Sequence, residues 1–149
     1  MTKQVLLTIA GLQMIENEQA EPIEIVTAGD YFFRNGKHYI LYDEPVEGSS
    51  KTIQNTVKIS PTCLEVMKKG LMNVHMIFEQ SKKNLSCYET PYGTMRVGIQ
   101  TNDMDIRETE NNIDIEVNYG LEINEEYLAD CQIKMNIKSK DAGDFSLQQ

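Results

Sequence analysis

Between residues 113 and 122 the chain reads IDIEVNYGLE, with an apolar side chain at every second position. Ile113, Ile115, Val117, Tyr119 and Leu121 point one way; Asp114, Glu116, Asn118, Gly120 and Glu122 point the other. Successive side chains of a strand leave on opposite sides, so this period fits a strand with one face in a core and one in water. Residues 129–137 repeat it, setting Ala129, Cys131, Ile133, Met135 and Ile137 against Asp130, Gln132, Lys134 and Asn136. No segment holds the 3.6-residue period of a helix over three turns.

The same logic predicts strands over 3–12, 22–34, 37–44, 51–60, 62–68, 72–79, 84–89, 93–109, 112–122 and 127–138. The second is expected to bend or bulge at Gly29. Asn35-Gly36 is a type I′ hairpin signal, since that turn needs positive φ at both central residues. KKGLMN reads as a hairpin turn, and QSKKN as the turn joining 72–79 to 84–89. Thr90-Pro91-Tyr92-Gly93 suits a type I turn, with Pro91 presetting φ and lacking the amide a ladder needs. Turns this short make sequence neighbours into spatial neighbours. The predicted fold is all-β: a closed antiparallel up-and-down barrel of about eight to ten strands, because closure removes the two edges of a meander. A two-sheet sandwich needs longer crossovers.

At 149 residues the chain has the length of one domain that buries roughly two-thirds of its unfolded surface. Residues 1–138 are assigned to it, and 139–149, where alternation stops, are expected to form a flexible tail. A formal net charge of −9 repels phosphate backbones and anionic headgroups, so neither nucleic acid nor membrane is an expected partner. Lys68-Lys69 and Lys82-Lys83 read as solvated turn lysines. Cys63, Cys87 and Cys131 are odd in number and scattered, which fits buried apolar residues rather than a disulfide framework or zinc site. His38 and His75 make no metal pattern, and no metal or cofactor is expected. MTKQVLLTIAGLQ reads as a first strand rather than a signal peptide, and no run nears the ~20 apolar residues of a membrane span. The cytoplasm is the expected compartment.

Several pieces stand in a telling order: GDYFFRNGKHYILYDE at 29–44, TVKIS at 56–60, IFEQ at 77–80, YETPYG at 88–93 and VNYGLEI at 117–123. With them the chain resembles the YwiB-like family of small bacterial proteins, a domain of unknown function. The resemblance spans residues 3–138 and rests most on Y-x-T-P-Y-G and NG-x-x-Y-x-x-Y-x-E. It implies a lipocalin-like, or calycin-type, closed barrel and carries over no catalytic or binding residue.

A barrel of about eight strands either holds a small ligand or fills with side chains. Three rows bear on which. His38, Ile40, Tyr42 and Glu44 share one face; Thr52, Gln54, Thr56 and Lys58 another; Thr94, Arg96, Gly98 and Gln100 a third. Facing inward, they would offer cations and a phenol to a partly apolar acid. Facing water, Glu44 and Lys58 form an ordinary exposed pair. Alternation favours water, since Met95, Val97 and Ile99 make the better core face. The strand methionines, such as Met76 and Met135, read as core filler. Tyr88 and Tyr92 flank the Thr90-Pro91 corner, where an amphipathic ring seals the core or meets a ligand.

The candidate ligand-binding residues are therefore Tyr42, Glu44, Lys58, Tyr88, Tyr92 and Arg96, with no catalytic residue assigned. The leading expectation is non-catalytic binding of a small, partly apolar, acidic ligand in the lumen or at its mouth. The alternative is a filled barrel acting as an interaction or homodimerisation module. On fold analogy alone, a third is an enzyme that processes a small acid with Tyr42, Glu44 and Arg96. Monomer and homodimer are both open.

Overall fold

A computed structural model describes residues 1–11, 24–45, 48, 50–70, 73–90 and 93–140. The regular elements among them are ten strands: β1 (Gln4–Ala10), β2 (Glu24–Arg34), β3 (Lys37–Pro45), β4 (Thr52–Ser60), β5 (Cys63–Lys69), β6 (Val74–Glu79), β7 (Lys83–Thr90), β8 (Gly93–Glu108), β9 (Asn112–Ile123) and β10 (Glu126–Ser139). They form one antiparallel sheet in the order β6-β5-β4-β3-β2-β1-β10-β9-β8-β7. The first and last strands pair, Val5 opposite Ser139 and Ala10 opposite Lys134, which rolls the meander into a barrel.

One seam is unsealed. The turn after β6 was expected to make a hairpin of β6 and β7, yet these are the one consecutive pair without a ladder. Backbone bonds within the turn explain this: the amide of Ser81 donates to the carbonyl of Thr101, and the amide of Thr101 donates to that of Lys82. The start of β7 is thus fastened to β8. Across the seam the Ser86 hydroxyl donates to the His75 carbonyl at 2.9 Å.

The inward face is the core. Val57, Leu64, Val66, Phe78, Val117 and Ile133 are fully excluded from solvent, and Phe78 meets Tyr119 edge-on with ring centres 4.9 Å apart. Met76 and Met135 are buried among them. Only Cys131 of the three thiols is buried; Cys63 is half-buried and Cys87 exposed, because their strands turn those positions outward. Two bulges were not foreseen, at Thr101/Asp103 in β8 and Tyr127/Ala129 in β10. The first switches the phase of β8, so that Val97 and Ile99 face inward below it and Met104 and Ile106 beyond it.

Asn35 and Gly36 have φ of 53° and 77°, as a type I′ turn requires. At Gly29 the register of β2 against β1 does not slip, but the ladder with β3 ends at Asp30 opposite Leu41. A Cβ on Gly29 would come within 3.0 Å of Ile40 Cγ2 and 3.1 Å of the Leu41 carbonyl, so β3 closes on this position before the strands part. The tail expected over 139–149 lies outside the described residues beyond Lys140.

A Cβ at Gly36 would touch nothing within 4 Å, so substitution there strains only the backbone. We expect Gly36→Val to lower stability by about 1–2 kcal/mol, the cost of a left-handed residue with a β-branched side chain. Urea unfolding with an unchanged m-value checks this; a wild-type midpoint would mean that the turn does not need its glycine.

Candidate functional site

Strands β3, β5 and β7 end, and β4, β6 and β8 begin, at the same mouth of the barrel. There the inward positions change character. Along β3 the inward side chains run His38, Ile40, Tyr42, Glu44; along β4 Ile59 and Val57 give way to Asn55; along β5 Leu64 and Val66 give way to Lys68. Cross-strand register aligns the polar ones, Tyr42 with Asn55 and Asn55 with Lys68, and Lys68 pairs in turn with Val74. A row of phenol, amide and ammonium therefore lies across three strands on the core side.

Burying an ammonium is tolerated only when it is paired and hydrogen-bonded. Lys68 is 7 % exposed, and among the described residues no other lysine or arginine is buried. Its Nζ donates to Asn55 Oδ1 at 2.8 Å and to Glu44 Oε1 at 3.0 Å. Asn55 Nδ2 donates to the same Glu44 oxygen and to the Ile53 carbonyl, both at 3.3 Å. Glu44 is the outermost member, its side chain 36 % exposed.

Two phenols complete this end. Tyr42 is 6 % exposed and Tyr88 3 %, and the hydroxyl of neither has a hydrogen-bond partner among the described residues. Burial, reinforced by the charge of Glu44, pushes the Tyr42 hydroxyl up to about 12. Burial alone raises that of Tyr88 well above the ordinary tyrosine range. Ser86 bonds to His75, so Tyr88, two residues on, reaches the level where β6 begins beside the end of β5. Both hydroxyls are thus protonated donors at neutral pH.

Of the sequence-predicted site residues, Tyr42, Glu44 and Tyr88 are brought to this mouth on inward positions. Lys58 is on the outer face, 3.7 Å from Glu65 and over the Tyr39 ring. Arg96 is also outside, donating to Glu125 at 2.9 Å. Tyr92 lies outside the described residues, as does the centre of its turn. Alternation favoured water for all three polar rows; the two on β4 and β8 do face out, but the one containing Tyr42 faces inward. The residues that sequence reasoning missed are Asn55 and Lys68. Lys68 was read as a solvated turn lysine, but the alternation Leu64, Val66, Lys68 carries the signal that it points inward.

The opposite mouth has its own buried polar group. His38 Nδ1 lies 2.7 Å from the Tyr31 hydroxyl and Nε2 lies 3.1 Å from Glu108, so this histidine is satisfied by hydrogen bonding. A groove of about 530 Å³ opens where β2 and β3 part, lined by residues that include Asp30, Tyr42, Asp43, Gln54 and Asn55.

Comparison with known proteins matches a family profile, the domain of unknown function DUF1934, to residues 7–135. The chain belongs to the DUF1934 family. The crystal structure of the ywiB protein from Bacillus subtilis superposes on it with a TM-score of 0.72 at 18 % identity, covering 92 % of each chain. That likeness establishes the fold shared by this DUF1934 protein and a YwiB protein. No curated protein matches the chain. Among the described residues of this DUF1934 domain, no helix is long and apolar enough to cross a membrane, and no three His, Cys, Asp or Glu side chains are grouped to hold a metal.

A buried hydroxyl without a partner destabilises the fold that contains it. We expect Tyr42→Phe and Tyr88→Phe each to raise stability at neutral pH by roughly 1 kcal/mol, against the usual sign for a core substitution. Destabilisation in both would mean that the hydroxyls are satisfied within the fold. The pH dependence has a definite sign. The folded chain keeps a proton on Tyr42 that an unfolded tyrosine releases near 10.0, so this contribution is complete below pH 10.0 and is lost as pH rises towards about 12. Urea titrations across that window should show wild type losing stability more steeply than Tyr42→Phe.

Proposed function

We propose that this DUF1934 protein is a non-catalytic, cytoplasmic binder of a small, partly apolar acid, held at the mouth where β3, β4 and β5 present Tyr42, Asn55 and Lys68. The observation that carries the reading is the pair of buried, unpartnered phenol hydroxyls at the same end as the one buried ammonium among the described residues. A core selected for stability alone favours apolar groups there, because unsatisfied donors and a desolvated charge both cost free energy. A carboxylate head accepts hydrogen bonds from both phenols and from the ammonium, which turns those costs into binding energy. Its apolar part meets Val74, Tyr88 and Met95 at the rim. The packed middle of the barrel confines the ligand to the mouth, which is a narrower form of the lipocalin-like arrangement.

The test is a ligand-observed NMR screen of alkyl and aryl carboxylates, from phenylacetate to decanoate, with native mass spectrometry of the purified protein for a copurifying acid. We expect binding to the wild type that falls at least tenfold, or about 1.4 kcal/mol, in Lys68→Met. Equal binding by the two proteins, or none by either, would remove the reading.

A second reading, a homodimer, is favoured by one observation. On the outer face Phe32 stacks on Tyr39 with ring centres 4.8 Å apart, and Phe32 and Leu41 are 39 % and 37 % exposed. Phe32→Asp should then abolish a dimer seen by light scattering; a monomeric wild type at all concentrations rules it out.

A further inference from the structure

Glu44 occupies the position in which a ligand carboxylate would be recognised. Its Oε1 accepts from Lys68 Nζ at 3.0 Å and from Asn55 Nδ2 at 3.3 Å, so one carboxylate oxygen takes both donors of the row. The rest of its geometry suits a placeholder rather than a fixed strut. Glu44 sits on the second-last residue of β3, above the point where the ladder to β2 stops. Its side chain is 36 % exposed against 8 % for that of Lys68. The donors are therefore deep and the acceptor shallow. A buried ammonium needs an anion beside it at all times, but nothing requires that the anion be the same one. A glutamate displaced outward regains water, while Lys68 cannot follow.

We propose, resting on the reading above, that Glu44 is an internal competitor: its carboxylate stands in for that of the ligand and is displaced when a monocarboxylate binds. Lys68 then passes from one carboxylate to another, Asn55 Nδ2 follows it, and the hydroxyls of Tyr42 and Tyr88, which Glu44 leaves unbonded, gain an acceptor. The site selects a single carboxylate on an apolar body. A dicarboxylate would bring a second negative charge beside the displaced Glu44, and a neutral amide would fail to displace it. Glu44 thereby sets the threshold affinity: the empty site is neutral and closed on itself, and an acid has to out-compete a tethered one.

The tethered carboxylate is present at high effective concentration, so its removal should strengthen binding. The experiment measures binding of phenylacetate and of its neutral isostere phenylacetamide to the wild type, Glu44→Gln, Glu44→Ala and Lys68→Met. We expect Glu44→Gln and Glu44→Ala to tighten phenylacetate by about tenfold, with little change for phenylacetamide and with phenylacetate lost in Lys68→Met. Using both variants at Glu44 guards against a fault specific to one side chain, and thermal melts identify any variant that does not fold. If phenylacetate binding depends on Lys68 but is unchanged or weaker in both Glu44 variants, Glu44 is part of the binding scaffold. The competitor role then falls while the proposed function stands. If phenylacetate binds neither the wild type nor the Glu44 variants, or binds without regard to Lys68, both fall.

Discussion

The ladder between β1 and β10 is the contact on which the rest of the structure rests. Without it the strands are two separate meanders, β1 to β6 and β7 to β10, with no ladder between them to hold their apolar faces together. With it the two halves of the sheet face each other, and residues as distant in sequence as Phe78 and Tyr119 come into ring contact. The ends being joined are far apart along the chain, but the entropy of closing a loop grows only with the logarithm of its length. Burial of the shared core easily exceeds that cost. The penalty is kinetic, since a fold whose decisive pairing joins first strand to last has a high contact order and forms slowly.

Closure at β1 and β10 leaves the places where the barrel does not close. Backbone hydrogen bonds are missing along the whole of β6 against β7, and along β3 against β2 beyond Leu41. Between these two borders lies a leaf made of β3, β4, β5 and β6, whose upper part is held by side-chain packing and by its own internal ladders. The row Tyr42, Asn55, Lys68 sits on that leaf and nowhere else. Local opening follows local hydrogen bonding and packing, so the leaf is the part of the barrel best able to part from its neighbours without global unfolding. The polar row thus lies between two borders at which backbone pairing between strands ends.

The fold was legible because strict alternation leaves one answer. The face assignment of β9 and β10, the Asn35-Gly36 turn and the near-complete set of strand bounds all follow from period two and from turn chemistry. The unsealed seam was not legible, because the backbone hydrogen bonds that Thr101 accepts from Ser81 and donates to Lys82 depend on where β8 lies in space. The β8 bulge was half visible: the apolar phase shifts between Ile99 and Met104, which one continuous strand cannot accommodate. At the candidate site alternation favoured water for the row His38, Ile40, Tyr42, Glu44, which instead faces inward, and the β4 row set beside it lies on the outer face. Thr52, Gln54, Thr56 and Lys58 look more like a site in sequence, being uniformly polar. The informative residue is the single Asn55 interrupting an inward run with Val57 and Ile59. A polar exception on an apolar face says more than a polar face does.

That distinction bears on what the network is for. An ammonium, an amide and a carboxylate can be arranged to satisfy one another inside a fold, and such a cluster by itself signifies little more than tolerated polarity. The phenols are different, because nothing within the cluster satisfies them. Glu44 Oε1 and Asn55 Oδ1 both accept from Lys68, and the Tyr42 hydroxyl is left over. Phenylalanine would fill the same volume without the orphaned donor. The hydroxyl therefore adds nothing to the packing at either position, and both tyrosines lie at the same mouth as the one buried ammonium among the described residues, the arrangement from which the proposed binding site is argued.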